Sequence, residues 1–223
     1  MQLTRSLLSN VVTALLLSCA VTVTTLAVRS QTRSSRSVSI SGSWEPQPDW
    51  LEYKVSGHLL GQPAAKTTLV EFADFECPAC SLLSQQIALL VQRRPNDVAV
   101  LFRHLPLPSH RFSRVSAIAS ECAAVQGRFG AMHDSLFSHQ KLIGLEPWTT
   151  MAANAGVSDT ITFAKCMKDS STAGTVDIDA SAARRLQSRG TPTLLFESLK
   201  FTGVPTARVL DSMIDAAIQR KPS

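Results

Sequence analysis

The stretch Thr68-Leu-Val-Glu-Phe-Ala-Asp-Phe-Glu-Cys-Pro-Ala-Cys80 limits what the rest of this chain can become. Leu69, Val70, Phe72 and Phe75 are apolar and favour extended backbone, so the stretch opens as a strand. Pro78 suits the first turn of a helix, where no backbone donor is needed. After Cys80, Leu82, Leu83, Ile87, Leu90 and Val91 recur at helical spacing. Cys77 is therefore expected at a helix N-terminus, with Cys80 one turn inside. Unsatisfied N–H groups and partial positive charge at that end favour a thiolate. Cys77 is expected to be the exposed, low-pKa attacking sulfur and Cys80 the more buried resolving thiol. Such a pair exchanges disulfides with other proteins through a mixed disulfide.

A C-x-x-C pair is also half of a zinc site, or a structural bridge. A zinc ribbon needs a second pair at similar spacing. Cys122 and Cys166 stand alone, and His133 and His139 do not supply that spacing. The strand-then-helix context favours redox chemistry, with no metal ligands expected. No phosphate-binding loop, Ser/His/Asp order or dinucleotide fingerprint is present, so no cofactor is expected.

The net charge of +5 is a property of one end of the chain. Arg5, Arg29, Arg33 and Arg36 precede every acidic residue, which leaves 18 basic against 17 acidic side chains from Ser37 onward. The folded part is nearly neutral, and nucleic acid is not an expected partner. Residues Leu7 to Val28 carry no charge, a run of roughly twenty residues that suffices to span a bilayer. It reads as a signal anchor or signal peptide over residues 1–29. Leu16-Leu-Ser-Cys19 also resembles a bacterial lipobox, which would make Cys19 a lipid-bearing terminus. Each reading sends the domain across a membrane, to a periplasmic or extracytoplasmic site, tethered through residues 7–28 or released after cleavage. Disulfides persist there.

Residues 30–49 are rich in Ser, Arg and Pro and read as a flexible linker, followed by one domain over 50–223. A short strand is expected within Tyr53–Gly61, and a second full strand within Asp97–Leu105. The pattern from His110 to Met167 is helical, and Val176–Leu186 adds another helix. Thr193–Glu197 and Leu199–Gly203 read as a hairpin, and Val204–Arg220 as a closing helix with Val209, Leu210, Met213, Ile214 and Ala217 inward. Parallel strands joined by a helix, then an antiparallel hairpin, give an α/β sandwich with a helical insertion at about 109–188. Cys122 and Cys166 both fall on apolar helical faces. They are either a structural disulfide or two buried thiols, and export favours the disulfide.

These residues together resemble the DsbA-like thiol:disulfide oxidoreductases of the thioredoxin superfamily. Cys77-Pro-Ala-Cys80 follows an E-F-x-D-F-type strand, and Thr191-Pro192 stands where that family has its cis-proline loop. Glu121-Cys-Ala-Ala-Val-Gln-Gly-Arg-Phe-Gly-Ala-Met-His-Asp-Ser-Leu-Phe137 is similar to its helical insertion, and Arg103-His-Leu-Pro-Leu107 to its second strand and exit. The resemblance runs from about Gly57 to Gln219. It implies a thioredoxin-like fold, with Cys77 as nucleophile and Cys80 as resolving thiol. It implies that Pro192 is cis and that the Thr191 backbone pairs with a substrate peptide in strand fashion. It also places Glu71 beneath the active site as a proton acceptor for Cys80, where strand alternation alone would put it on a solvent face. Asp74 and Glu76 are expected to be exposed.

The Pro-Ala dipeptide departs from the Pro-His of the strongly oxidising family members, which points to a weaker oxidant. The function expected is introduction of disulfides into reduced or unfolded exported proteins by a monomer. A membrane partner of the DsbB or VKOR type would restore the disulfide, by family analogy. The alternatives are a reductase or isomerase on the same fold, or a peptide-binding module that performs no chemistry.

Overall fold

The computed structural model describes residues 43–220. The expectations for residues 1–29, including the membrane-spanning run and Cys19, and for residues 30–42 of the linker lie outside the described residues. No described helix is long and apolar enough to cross a membrane.

One six-stranded sheet organises the domain. Its strands are β1 (Glu45–Pro46), β2 (His58–Leu60), β3 (Thr67–Ala73), β4 (Val98–His104), β5 (Thr193–Phe196) and β6 (Leu199–Thr202), in the order β1-β6-β5-β3-β4-β2. Strands β3 and β4 are parallel, with Val70 opposite Leu101, and helix α1 (Pro78–Arg93) connects them. Strand β5 runs antiparallel to β3, with Val70 opposite Leu195, and β6 returns as its hairpin partner. Strand β2 pairs with β4 at the edge. Gly57 leads into it at φ +122, and a Cβ there would lie 2.6 Å from the Phe102 carbonyl oxygen, so only glycine lets the chain approach β4 this closely.

Both sheet faces are covered, which explains the near-continuous burial of β3 and β4. On one face Leu69, Val100, Leu194 and Phe196 pack against Leu83, Ile87 and Leu90 of α1 and against Leu210, Ile214 and Ala217 of α7 (Ala207–Arg220). On the other, Val70, Phe72, Leu101 and Leu195 meet Tyr53 and helix α6 (Ala173–Arg185) through Ala182, Ala183 and Leu186. Helix α7 starts later than the expected Val204, because Pro205 interrupts and Thr206 Oγ1 accepts from the Val209 amide at the new start. Val209 consequently lies on the solvent side, 38% exposed, and not inward.

Between β4 and β5 come α2 (Ser113–Ala124), α3 (Phe129–Ser138), α4 (Trp148–Asn154), α5 (Thr160–Cys166) and α6. Met132, Leu136, Phe137, Met151 and Phe163 form their shared core. Cys122 and Cys166 are joined by a disulfide with Cα atoms 5.7 Å apart, so α2 is tied to α5. A buried ion pair fixes α6 to β4: Arg103 Nε donates to Asp179 Oδ1 at 2.7 Å, and Asp179 Oδ2 accepts from the His104 amide at 2.9 Å.

Candidate active site

Strand β3 ends and α1 begins within five residues, and that short turn carries the two sulfurs. Cys77 is the N-cap of α1 and Pro78 its first residue. The amides of Cys80 and Ser81 donate to the Cys77 carbonyl at 3.1 and 3.2 Å, which starts the helix directly at the motif. Both cysteines are thiols here. Cys77 is the more accessible sulfur, yet the residue is only 7% exposed, and Cys80 is fully covered. The expected exposed nucleophile is thus largely shielded. The reason is the loop before β5, which lies against it: Cys77 Sγ is 3.4 Å from the Thr191 carbonyl oxygen, to which it donates only when protonated. The Thr191–Pro192 peptide is cis.

The two thiols differ sharply in acidity. The Cys80 thiol donates to the Cys77 sulfur and holds Cys77 at about 5, far below an ordinary thiol, against the opposing effect of burial. The Thr191 side chain and the amides of Cys80 and Ala79 add to this. Cys80 is pushed well above the ordinary range, by burial first and then by the neighbouring Cys77. Glu71 shares the face of β3 that α1 covers. It is 1% exposed, and burial raises its carboxyl to about 8. Its Oε1 has no hydrogen-bond partner among the described residues, and its charge is felt at Cys80. Alternation fails as a guide here because β3 is a central strand with no solvent face.

A family model described as thioredoxin matches residues 54–216. The chain belongs to the DsbA-like thiol:disulfide oxidoreductases of the thioredoxin superfamily. This DsbA-like chain is 27% identical to Pseudomonas aeruginosa DsbA2, with a TM-score of 0.61 over 74% of this chain and 96% of that one. It is 25% identical to a thioredoxin-like oxidoreductase from Silicibacter pomeroyi, with a TM-score of 0.63 over 74% and 93%. Among curated proteins it is 33% identical over 72% of its length to a Na(+)/H(+) antiporter NhaA 3 of Salinispora tropica. It is 34% identical over 71% to an antiporter NhaA 1 of Mycolicibacterium gilvum. The chain spans only about a quarter of the length of these curated relatives, 24% and 26%.

Three residues that shape the DsbA-like site were missed or misplaced by the sequence. Asp74, expected to be exposed, is 2% exposed. Its carboxylate accepts from the amides of Glu76 and Leu107 at 2.8 Å each and pairs with His110 Nδ1 at 2.8 Å. It is buried because the chain leaving β4 folds back over the cysteine turn, and a buried carboxylate must be satisfied. Glu76 is half-buried for the same reason, its Oε2 accepting from the Phe112 amide. Gln140, beyond α3, donates through Nε2 to the carbonyls of Phe75 and Cys77 at 2.7 and 2.9 Å. The signal available for Asp74 was its place between a buried strand and the motif. For Gln140 there was none. A second cluster, His58, His104 and Glu121, lies beside Phe75, and among the described residues no hydrogen bond joins it to Cys77 or Cys80. Burial pushes the Glu121 carboxyl up, but the two imidazoles pull it down further, to about 2.

Proposed function

We propose that this chain introduces disulfides into reduced proteins on the far side of a membrane. The observation that carries the reading is the pairing of a Cys77 sulfur held near 5 with a covered Cys80 held well above 9. In the oxidised form, a substrate thiolate attacks the Cys77 sulfur. The Cys77–Cys80 bond breaks, Cys80 leaves as thiolate and takes up a proton, and substrate and Cys77 share a mixed disulfide. A second substrate thiolate then attacks the substrate sulfur and expels Cys77 as a thiolate. The substrate has lost two electrons and the Cys77–Cys80 pair has gained them.

Because Cys77 is a stable thiolate, it is a good leaving group in the last step, and the reduced form is the favoured one. That makes the disulfide an oxidant, although the Pro-Ala dipeptide supplies no imidazole. Its depressed pKa comes from Cys80, Thr191 and the helix amides. Glu71 is the proton acceptor and donor for Cys80 during exchange, matched to neutral pH by its burial. The Thr191-Pro192 loop receives the substrate backbone beside Cys77. A membrane quinone-linked partner of the DsbB or VKOR type returns the pair to the disulfide, and residues 7–28 tether the monomeric domain near it.

The test is trapping. Cys77→Ser should abolish exchange with reduced substrate proteins, whereas Cys80→Ser should accumulate mixed disulfides visible on non-reducing gels. Equal, high activity in both variants would refute these roles.

A further inference from the structure

We propose that His58, His104 and Glu121 form a binding site for a divalent first-row transition ion, separate from the redox pair. Three elements supply them: the edge strand β2, the end of β4 and the last turn of α2. The side chains converge on one point. His58 Nε2 and His104 Nε2 each stand 2.7 Å from the same oxygen, Glu121 Oε1, and the ligand atoms all lie within 4.8 Å of one another.

Without an ion, both imidazoles serve the carboxylate as hydrogen-bond partners. With an ion at the convergence point, each Nε2 and the carboxylate would coordinate at about 2.0–2.2 Å. Tetrahedral angles then require ligand atoms about 3.3 Å apart, so the N···O separations must open by roughly half an ångström. His58 can supply that movement. It lies on a three-residue edge strand, and its side chain is 24% exposed. The same exposure gives the ion an entry path and leaves a fourth position for water, as in three-ligand zinc sites.

The rings are held in place before any ion arrives. His58 is stacked on Phe129 with centroids 3.6 Å apart, and His104 packs edge-on against Phe102 at 5.3 Å. Glu121 is fixed by its place in α2, whose next residue, Cys122, is covalently tied to α5. A set of two imidazoles and one carboxylate suits zinc, copper(II), nickel or iron(II) and not calcium or magnesium. His104 Nδ1 has no partner among the described residues. The acceptor that normally supports a ligating imidazole is therefore missing, and affinity should be 10–100-fold below that of a fully supported site. The ion would join the sheet edge to the helical insertion.

Zinc is the probe. The chain is used with Cys19 replaced by Ser and with Cys77 and Cys80 joined as a disulfide, which removes the competing thiolates. Calorimetric titration at pH 7.5 should show one zinc per chain with a micromolar dissociation constant. Saturating zinc should raise the melting temperature. His58→Ala removes a half-buried ring from a short edge strand and should weaken binding at least tenfold and abolish the melting shift. Glu121→Gln should do the same with side-chain size retained. No saturable binding up to millimolar zinc would overturn the proposal and leave a hydrogen-bonded cluster. Undiminished binding to the His58→Ala chain would overturn it too, by placing the ion elsewhere.

Discussion

Replacing Glu71 by Gln should change how stability depends on pH, and the size of the change follows from the burial of one carboxyl. Burial holds the Glu71 carboxyl at about 8 in the folded chain, against about 4.5 for the same group when unfolded. Between those values the folded state holds a proton that the unfolded state has released. Stability therefore falls as pH rises through this window, and the loss is complete above pH 8. At pH 7 the linked cost is about 3 kcal/mol, and at pH 4.5 it is below roughly half a kcal/mol. Glutamine cannot ionise, so the cost disappears. It does leave a buried amide beside an unpartnered site, which costs on the order of 1–3 kcal/mol at every pH. The informative quantity is consequently the difference between the two chains as pH changes. In urea unfolding of the reduced protein, Glu71→Gln should gain about 3 kcal/mol on wild type between pH 4.5 and 7. For a domain of this size that corresponds to a shift of about 6–12 °C in relative melting temperature. A difference that stays constant across this range would show that Glu71 is ionised in the fold, and would remove the physical basis for the proton-carrier role proposed above.

Two further outcomes test other parts of the account. Thiolate absorbance or alkylation rate of the reduced chain should titrate with a midpoint near pH 5 for Cys77, and Cys80→Ala, which deletes the donated thiol hydrogen bond, should move that midpoint upward; an unchanged midpoint would mean the helix amides act alone. Replacing both Cys122 and Cys166 by Ala opens a loop of 44 residues and should cost about 4 kcal/mol in denaturant unfolding on chain-entropy grounds, with the Cys77–Cys80 exchange chemistry retained.

How much of this was legible in the sequence depended on whether the cause was local. The turn from β3 into α1 was readable because apolar residues, Pro78 and the helical repeat after Cys80 lie next to one another. The parallel pair and the final hairpin followed from the same kind of signal. Glu71 was not readable from pattern alone, since alternation presumes one wet face and β3 has none. Resemblance to a family supplied its burial. Asp74 was misjudged because its three partners come from residues 76, 107 and 110, and the loop that carries two of them meets the cysteine turn only after β4 has paired with β3. The convergence of His58, His104 and Glu121 joins residues up to 63 positions apart and leaves no periodic trace. Spacing reveals ligand sets built on one turn, not sets assembled across a sheet edge.

The claim that this chain is an oxidant stands on the stability of its reduced pair, and the redox equilibrium of Cys77–Cys80 against glutathione measures that stability directly. The chain with Cys19, Cys122 and Cys166 replaced by Ala isolates the pair. A potential clearly more positive than the roughly −270 mV of thioredoxin is expected, in the direction of the about −120 mV of the strongest oxidants of this fold. A value at or below the thioredoxin potential would contradict it and make the chain a reductase.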